Sequence, residues 1–199
     1  MKSKPMPTCN NSKIIALLGL PGSGKTEVID YLIKKYNWPK VYFGDVTFDE
    51  IKKRKLEINE KNERFVREDL RKKYGQLYYA KQVIKKIKKI NSKTILVESL
   101  YSWDEYLRFK KEFNNCFIAI AIYSSPQTRY NRLKNRPIRP LTPQETQGRD
   151  YSQLENLKQG SPIALADFTI INEGTKSELI NKINKIIKNY FNETQNSKN

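Results

Sequence analysis

Gly19-Leu20-Pro21-Gly22-Ser23-Gly24-Lys25-Thr26 is the stretch that decides the fold. It has the phosphate-loop spacing: glycine, four residues, then glycine, lysine and serine or threonine. Its flanks agree with that reading. Ile14 to Leu18 is an apolar run suited to a strand buried on both faces. Glu27 to Ile33 repeats apolar residues at helical spacing. Glycines at 19, 22 and 24 permit backbone angles and close approach that a Cβ would block. The loop amides can then converge on an anion, backed by the partial positive charge of a helix N-terminus. Gly22, Ser23, Gly24 and Lys25 are therefore expected to hold the phosphates of ATP, with Lys25 reaching the β- and γ-phosphates. The Thr26 hydroxyl is expected to ligate Mg²⁺.

The chain has 199 residues, about one domain, and its 38% hydrophobic content is enough for a core. The formal charge of +17, from 38 basic and 21 acidic residues, suits anionic partners. Richness in Lys, Asn, Ile and Tyr is equally what a genome biased toward A and T produces, so both explanations stand. Absence of histidine excludes Ser-His-Asp triads, Cys-His nucleophiles and His-ligated metals. Cys9 and Cys116 make neither a metal site nor a disulfide framework, and Cys116, in an apolar run, reads as a buried small hydrophobe. A reducing, cytoplasmic setting is expected. Ile14 to Leu20 is too short to span a bilayer, and no signal peptide is visible, so no membrane partner is expected.

Apolar runs and helical stripes alternate along the chain. Residues 1–12 read as a flexible arm, 13–191 as a single domain and 192–199 as a polar tail. Strands are expected at Lys13 to Leu18, Val41 to Phe43, Thr94 to Glu98, Cys116 to Tyr123 and Ala166 to Ile171. Helices are expected from Gly24 to Tyr36, from Phe48 to Lys73 with a break near Asn59 to Asn62, and from Leu77 to Ile90. Further helices are expected from Trp103 to Phe113, from Ser125-Pro126 onward, from Glu145 to Leu157, and over 175–191. The lysine face of 77–90 is either solvated or a nucleic-acid contact, the latter possible but not favoured. Strands alternating with helices predict an α/β fold: a five-stranded parallel sheet with helices on both faces. Ligands of such sheets bind beyond the carboxyl ends of the strands. There stand the phosphate loop, Asp45, Glu98, Ser124 and Asn172.

Phosphoryl transfer needs positive charge, a metal and two aligned substrates. Glu98, ending an apolar strand, can hold a Mg²⁺-bound water or accept a proton. Asp45 can orient an acceptor, or simply complete a turn with Gly44. Arginines give the bidentate grip on phosphate that lysine lacks. Arg64, Arg67 and Arg71 share a helix face; Arg129, Arg132, Arg136 and Arg139 run into a proline-rich loop, and Arg149 follows it. A lid over about 135–150 is expected to close on ATP.

The ordered set of segments resembles the small phosphate-loop kinases that include adenylate kinase and dephospho-CoA kinase. It is more similar still to an archaeal and bacterial group of adenylate-kinase-like, dephospho-CoA-kinase-like proteins. The resemblance runs from about Lys13 to Ile187 and rests on the loop at 19–26 and Phe-Gly-Asp-Val at 43–46. It also rests on Leu-Arg-Lys-Lys-Tyr-Gly at 70–75, the arginine-rich segment at 129–136, Arg149-Asp150, Ala166-Asp167 and Asn172-Glu173-Gly174. It implies a three-layer phosphate-loop kinase fold, strand order 2-3-1-4-5, and a small lid. It implies ATP- and Mg²⁺-dependent transfer of the γ-phosphate to a small anionic acceptor, a nucleotide or a nucleotide-like compound. By this likeness Lys25, Glu98, Arg136 and Arg149 serve catalysis, and Arg132, Asn172 and Gly174 attend ATP. Asp45, Arg71 and Tyr101 face the acceptor, while Thr26 and Glu98 attend the metal. The protein would act as a monomer or homodimer. The chain departs from relatives at Phe48 and at Glu98-Ser99-Leu100-Tyr101, where arginines are often found. Glu98-Ser99 with Tyr101-Ser102 is similar, more distantly, to deoxynucleoside kinases. A nucleotide-binding regulatory ATPase without a small-molecule acceptor, or one associated with nucleic acid, is the other reading.

Overall fold

The computed structural model describes residues 12–137 and 140–196, side chains of residues 60 and 192–196 excepted. The expected arm at 1–12 therefore lies outside the described residues save for Ser12, the tail at 192–199 only in residues 197–199, and Cys9 and Arg139 lie outside them as well. The elements in chain order are β1 (Lys13–Leu18), α1 (Lys25–Tyr36), β2 (Lys40–Tyr42), α2 (Asp45–Lys53), α3 (Glu60–Tyr74), α4 (Tyr78–Ile87) and β3 (Thr94–Glu98). Then come α5 (Trp103–Phe113), β4 (Phe117–Tyr123), α6 (Pro126–Lys134), α7 (Pro143–Glu155), α8 (Gly160–Ala164), β5 (Phe168–Ile171) and α9 (Lys176–Asn196).

The strands form one parallel sheet in the order β2-β3-β1-β4-β5. β1, β3 and β4 are apolar on both faces because helices cover both. On one face Ile14, Ala16, Ile95 and Val97 pack with Val83 of α4 and with Phe109 of α5. On the other, Ile15, Leu17 and Leu96 pack with Ile29 of α1 and with Ile183 of α9. Helix, sheet, helix is the three-layer architecture of the phosphate-loop kinases.

Local chemistry sets the helix starts. Ser125 accepts from the Thr128 N–H at 3.3 Å with Pro126 next to it, as the sequence predicts for α6. Ser102 and Glu105 form a reciprocal capping box on α5, and Thr142 and Glu145 form another on α7. Asn59 caps α3 by accepting from the Asn62 N–H at 2.9 Å. The expected helix over 48–73 breaks earlier than the sequence suggested. Lys55 adopts a left-handed φ of 56°, which ends α2, and Asn59 starts α3 rather than interrupting it. α2 itself begins at Asp45, a carboxylate placed in its first turn, where the helix dipole favours it. α8 is a short helix that the Gly160-Ser161-Pro162 sequence hid. α9 runs past its expected end at residue 191, to Asn196. Cys116 also differs from expectation. It is half-buried, just before β4, and disulfide-bonded rather than a buried thiol. Among the described residues, no helix is long and apolar enough to cross a membrane.

Candidate nucleotide-binding site

β1 ends at Leu18 and α1 begins at Lys25, so the loop between them stands at the carboxyl end of the central strand. Gly22 and Gly24 have φ of 79° and 102°. A Cβ on Gly22 would come within 2.8 Å of the Arg129 carbonyl, and one on Gly24 within 2.6 Å of Asn172 Nδ2. These glycines thus allow both the turn and the close seating of α6 and the 172–174 turn on the loop.

Each of five successive loop carbonyls accepts a side-chain hydrogen bond. Gln159 Nε2 donates to Gly19 at 3.2 Å, and Lys25 Nζ to Leu20 at 3.0 Å. Arg129 Nη1 donates to Pro21 at 3.1 Å, and Arg132 Nη1 reaches Gly22 at 3.5 Å. Asn172 Nδ2 donates to Ser23 at 2.8 Å, with Ser124 Oγ at 3.4 Å beside it. Because a trans peptide points its N–H opposite its C=O, carbonyls held in this way also fix the direction of the loop amides. Ser23 N–H is the exception, donating to Leu20 O at 3.2 Å.

The donors are themselves anchored. Arg129 forms a two-pronged pair with Asp150 of α7 at 2.9 and 2.6 Å, with side chains 3% and 6% exposed. Arg129 Nε donates to Ser124 O at 3.2 Å. Arg132 also donates to Ser124 Oγ at 3.0 Å and to Gly174 O at 3.3 Å. Glu173 accepts from Ser125 N–H and Thr128 Oγ1, both at 2.5 Å, which fastens the 172–174 turn to the start of α6.

A cleft of about 490 Å³ opens over the loop. Gly22, Gly24, Lys25, Thr26, Arg132, Arg136, Asn172 and Gly174 all line it, so the structure brings together most of the expected ATP-side residues. Ser23 is buried beneath, its Oγ without a hydrogen-bond partner among the described residues. Arg149 stands apart: it is exposed on α7 and does not line the cleft. Lys176 lines the cleft as well, ion-paired with Glu27. Burial lowers the Lys25 pKa to about 8; Glu98 opposes that shift, Arg129 adds to it, and Asp150 opposes it.

Glu98 lies opposite Leu17 in the β1–β3 register, one strand from the loop, and pairs with Lys40 at 2.7 Å. Beyond it is a second group of polar side chains. Burial raises the Tyr42 pKa first, and the carboxylates of Glu98, Glu63 and Asp45 add to it. Burial pushes the Tyr101 phenol up to about 12, while its bond with Ser99 Oγ at 2.8 Å pulls the other way. Glu98, Asp45 and Tyr101 thus share one neighbourhood. Arg71 lies at its border, with its guanidinium 4.8 Å from the Tyr79 ring centroid and Nη2 3.8 Å from Glu105 Oε1. Arg67, 3.7 Å from Glu63, lowers the pKa of Tyr42, Tyr79 and Tyr101 against their burial. Arg64 does not join this group; it pairs with Glu68 on an exposed face.

Sequence reasoning missed three residues. Gln159 follows no motif and is 140 positions from its partner Gly19. Lys40 reads as an ordinary exposed lysine. Asp150 stood next to the arginine that drew attention, yet only the fold shows that it meets Arg129.

Residues 15–155 match a family model described as an AAA domain. The chain is 30% identical over 179 residues to the UPF0200 protein of Thermococcus kodakarensis, covering 87% of this chain and 96% of that one. It is 33% identical over 189 residues to that of Methanocaldococcus jannaschii, covering 93% and 94%. Among solved structures, it resembles TT1252 from Thermus thermophilus with a TM-score of 0.59 at 14% identity, covering 90% of this chain and 98% of that one. It resembles a shikimate kinase from Bacteroides thetaiotaomicron with 0.57 at 13%, covering 88% and 98%. A gluconokinase from Sinorhizobium meliloti gives 0.58 at 12%, covering 93% and 98%. These structural likenesses speak to the fold; the sequence matches show that the chain belongs to the UPF0200 family and carries the AAA domain over residues 15–155.

Proposed function

We propose that the protein is an ATP- and Mg²⁺-dependent phosphotransferase acting on a small anionic acceptor, a nucleotide or nucleotide-like compound. The observation that carries this reading is the loop at 19–24, whose carbonyls from Gly19 to Ser23 are each held by a side chain beside a cleft lined by Lys25, Arg132 and Arg136. Such a cradle is preorganised for phosphate before any ligand arrives, so little reorganisation opposes binding. Lys25 holds the β- and γ-phosphates, and its ammonium moves from the Leu20 carbonyl to do so. Arg132 and Arg136 neutralise charge that develops on the transferred group. Arg149 is exposed; on this reading it joins them only when the lid at 135–150 closes. Asn172 and Gly174 form the wall beside the base.

Mg²⁺ favours oxygen ligands and takes one or two from protein, the rest from phosphate and water. The residues present fit that demand. Thr26 presents a hydroxyl on the cleft, and the Glu98 carboxylate is near enough to act on Lys25. When bound, the ion would neutralise phosphate charge. Asp45, Arg71 and Tyr101 would orient the acceptor, with Glu98 available to take the proton of an attacking hydroxyl.

The test is a panel of acceptors offered with γ-labelled ATP: nucleoside monophosphates, deoxynucleotides, nucleosides and dephospho-CoA. Label appearing in one acceptor supports the reading. ATP hydrolysis indifferent to every acceptor supports a regulatory ATPase instead. Lys25→Ala is expected to abolish transfer with the fold retained by circular dichroism. Undiminished turnover in that variant would remove the assignment.

A further inference from the structure

A second cleft, of about 580 Å³, lies away from the phosphate loop, between the turn at 74–77 and the outer face of α5. Two features of its lining are unusual for plain surface. Tyr74 and Leu107 leave 49% and 46% of their area to solvent. One face of Tyr74 is stacked on Tyr78, ring centroids 4.7 Å apart and planes 21° from parallel, and Lys73 Nζ lies 5.3 Å from the Tyr74 centroid, so the ring is a fixed aromatic shelf with a cation beside it. Around the shelf stand Lys81, Arg108 and Lys111, with Asp104 as the one carboxylate in the lining.

Two of the three cations here, Lys81 and Lys111, are not paired as other lysines on the same helices are. Lys86 of α4 pairs with Asp49, and Lys88 with Glu112. Lys81 and Lys111 make no ion pair among the described residues. Arg108 pairs with Glu112 through Nη2 at 2.6 Å, yet its buried Nε has no hydrogen-bond partner among those residues. α4 begins at the cleft wall with no side-chain cap; its Tyr78 N–H is taken by the Gly75 carbonyl at 3.1 Å, so the helix end adds only the positive sign of its dipole to the field. Exposed Lys72, Lys73 and Lys85 extend the positive surface past the cleft.

We propose that this cleft binds single-stranded nucleic acid, with phosphodiesters along Lys81, Arg108 and Lys111 and a base stacked on Tyr74. Aromatic shelf beside cationic track is the chemistry that holds single strands without reading sequence. The flanking lysines favour an extended polyanion over a lone mononucleotide, and the net charge of +17 attracts it over distance. The proposal does not depend on which acceptor the kinase site takes.

The probe is a fluorescein-labelled single strand of about 12 nucleotides, followed by anisotropy with the full chain across a salt series. Saturable binding is expected at about 0.15 M salt. Lys81→Ala with Lys111→Ala is expected to reduce the slope of log affinity against log salt by about 1.4. Tyr74→Ala is expected to weaken binding about tenfold with the slope unchanged. Saturating ATP, and Lys25→Ala, should leave strand binding as it was. Displacement by ATP would place the strand in the phosphate-loop cleft and overturn the proposal. So would equal affinity for a mononucleotide, preference for duplex, or indifference to both sets of variants.

Discussion

Lys25 holds one proton that links nucleotide binding to pH. Burial lowers its pKa from 10.5 to about 8 in the ligand-free site. A bound polyphosphate favours the charged form, so binding above pH 8 must take up a proton. ATP affinity is therefore expected to be flat below pH 8 and to fall by up to about tenfold per unit above it. Stability of the free protein moves the other way. Between about 8 and 10.5 the unfolded chain holds more protons on Lys25 than the folded one, so folding gains as pH rises through that window. Calorimetry at pH 7 and pH 9, in buffers of different ionisation enthalpy, measures the proton uptake directly. Equal uptake at the two values would contradict the assignment of the shift to Lys25. Arg129 is the second decisive residue. Its pair with Asp150 is buried, and removing one partner leaves an uncompensated charge. Arg129→Met is expected to cost about 3–5 kcal/mol in urea denaturation, and Arg129→Met with Asp150→Leu distinctly less. If single and double variants lose the same stability, the pair is not what holds α7 to the loop.

α6 is the element that turns a glycine-rich loop into a rigid cradle. Arg129 and Arg132 lie three residues apart on it, so both face the loop, and they reach successive carbonyls at Pro21 and Gly22. Its first turn is held by Glu173, whose carboxyl is kept below its usual range by the bonds from Thr128 and Ser125. Glu173→Gln keeps the shape and removes the charge. It is expected to raise the KM for ATP several-fold with a smaller change in kcat, because the 172–174 turn borders the donor cleft. A loss confined to kcat would show that the turn does not serve ATP binding. The elements themselves were largely legible. β1, β3 and α5 begin and end where their apolar pattern and caps predict. α2 and α3 were legible only as a charged helical stretch. The left-handed Lys55 that divides them has no glycine or proline to announce it. α8 was missed because five residues containing Pro162 make no periodic signal.

At the scale of the molecule, the two faces of the sheet divide the work. α1 and α9 cover one face and α2 to α5 the other, while the candidate site stands at the carboxyl ends of the strands between them. A ligand that binds only the folded loop must stabilise the entire fold by mass action. ATP with Mg²⁺ at about 100 times its Kd is expected to add about 2.7 kcal/mol, read as a raised Tm. Lys25→Ala should show no such rise. A rise preserved in that variant would place the nucleotide elsewhere.

The sequence by itself determined the phosphate loop, the five strands and most of the helices between them, α8 and the division of α2 from α3 excepted. Each of those is a local matter of spacing, periodicity and capping, and Gly19 to Thr26 contains its own instructions. Only the tertiary structure decided what holds the loop open. Gln159, Asp150 and Asn172 reach it from distant parts of the chain, through hydrogen bonds that no spacing encodes. It also decided which arginines share a cleft: Arg132 and Arg136 line it, while Arg149, in the same basic segment, faces outward. A side chain's direction depends on how its helix packs, and packing is settled by the whole core at once.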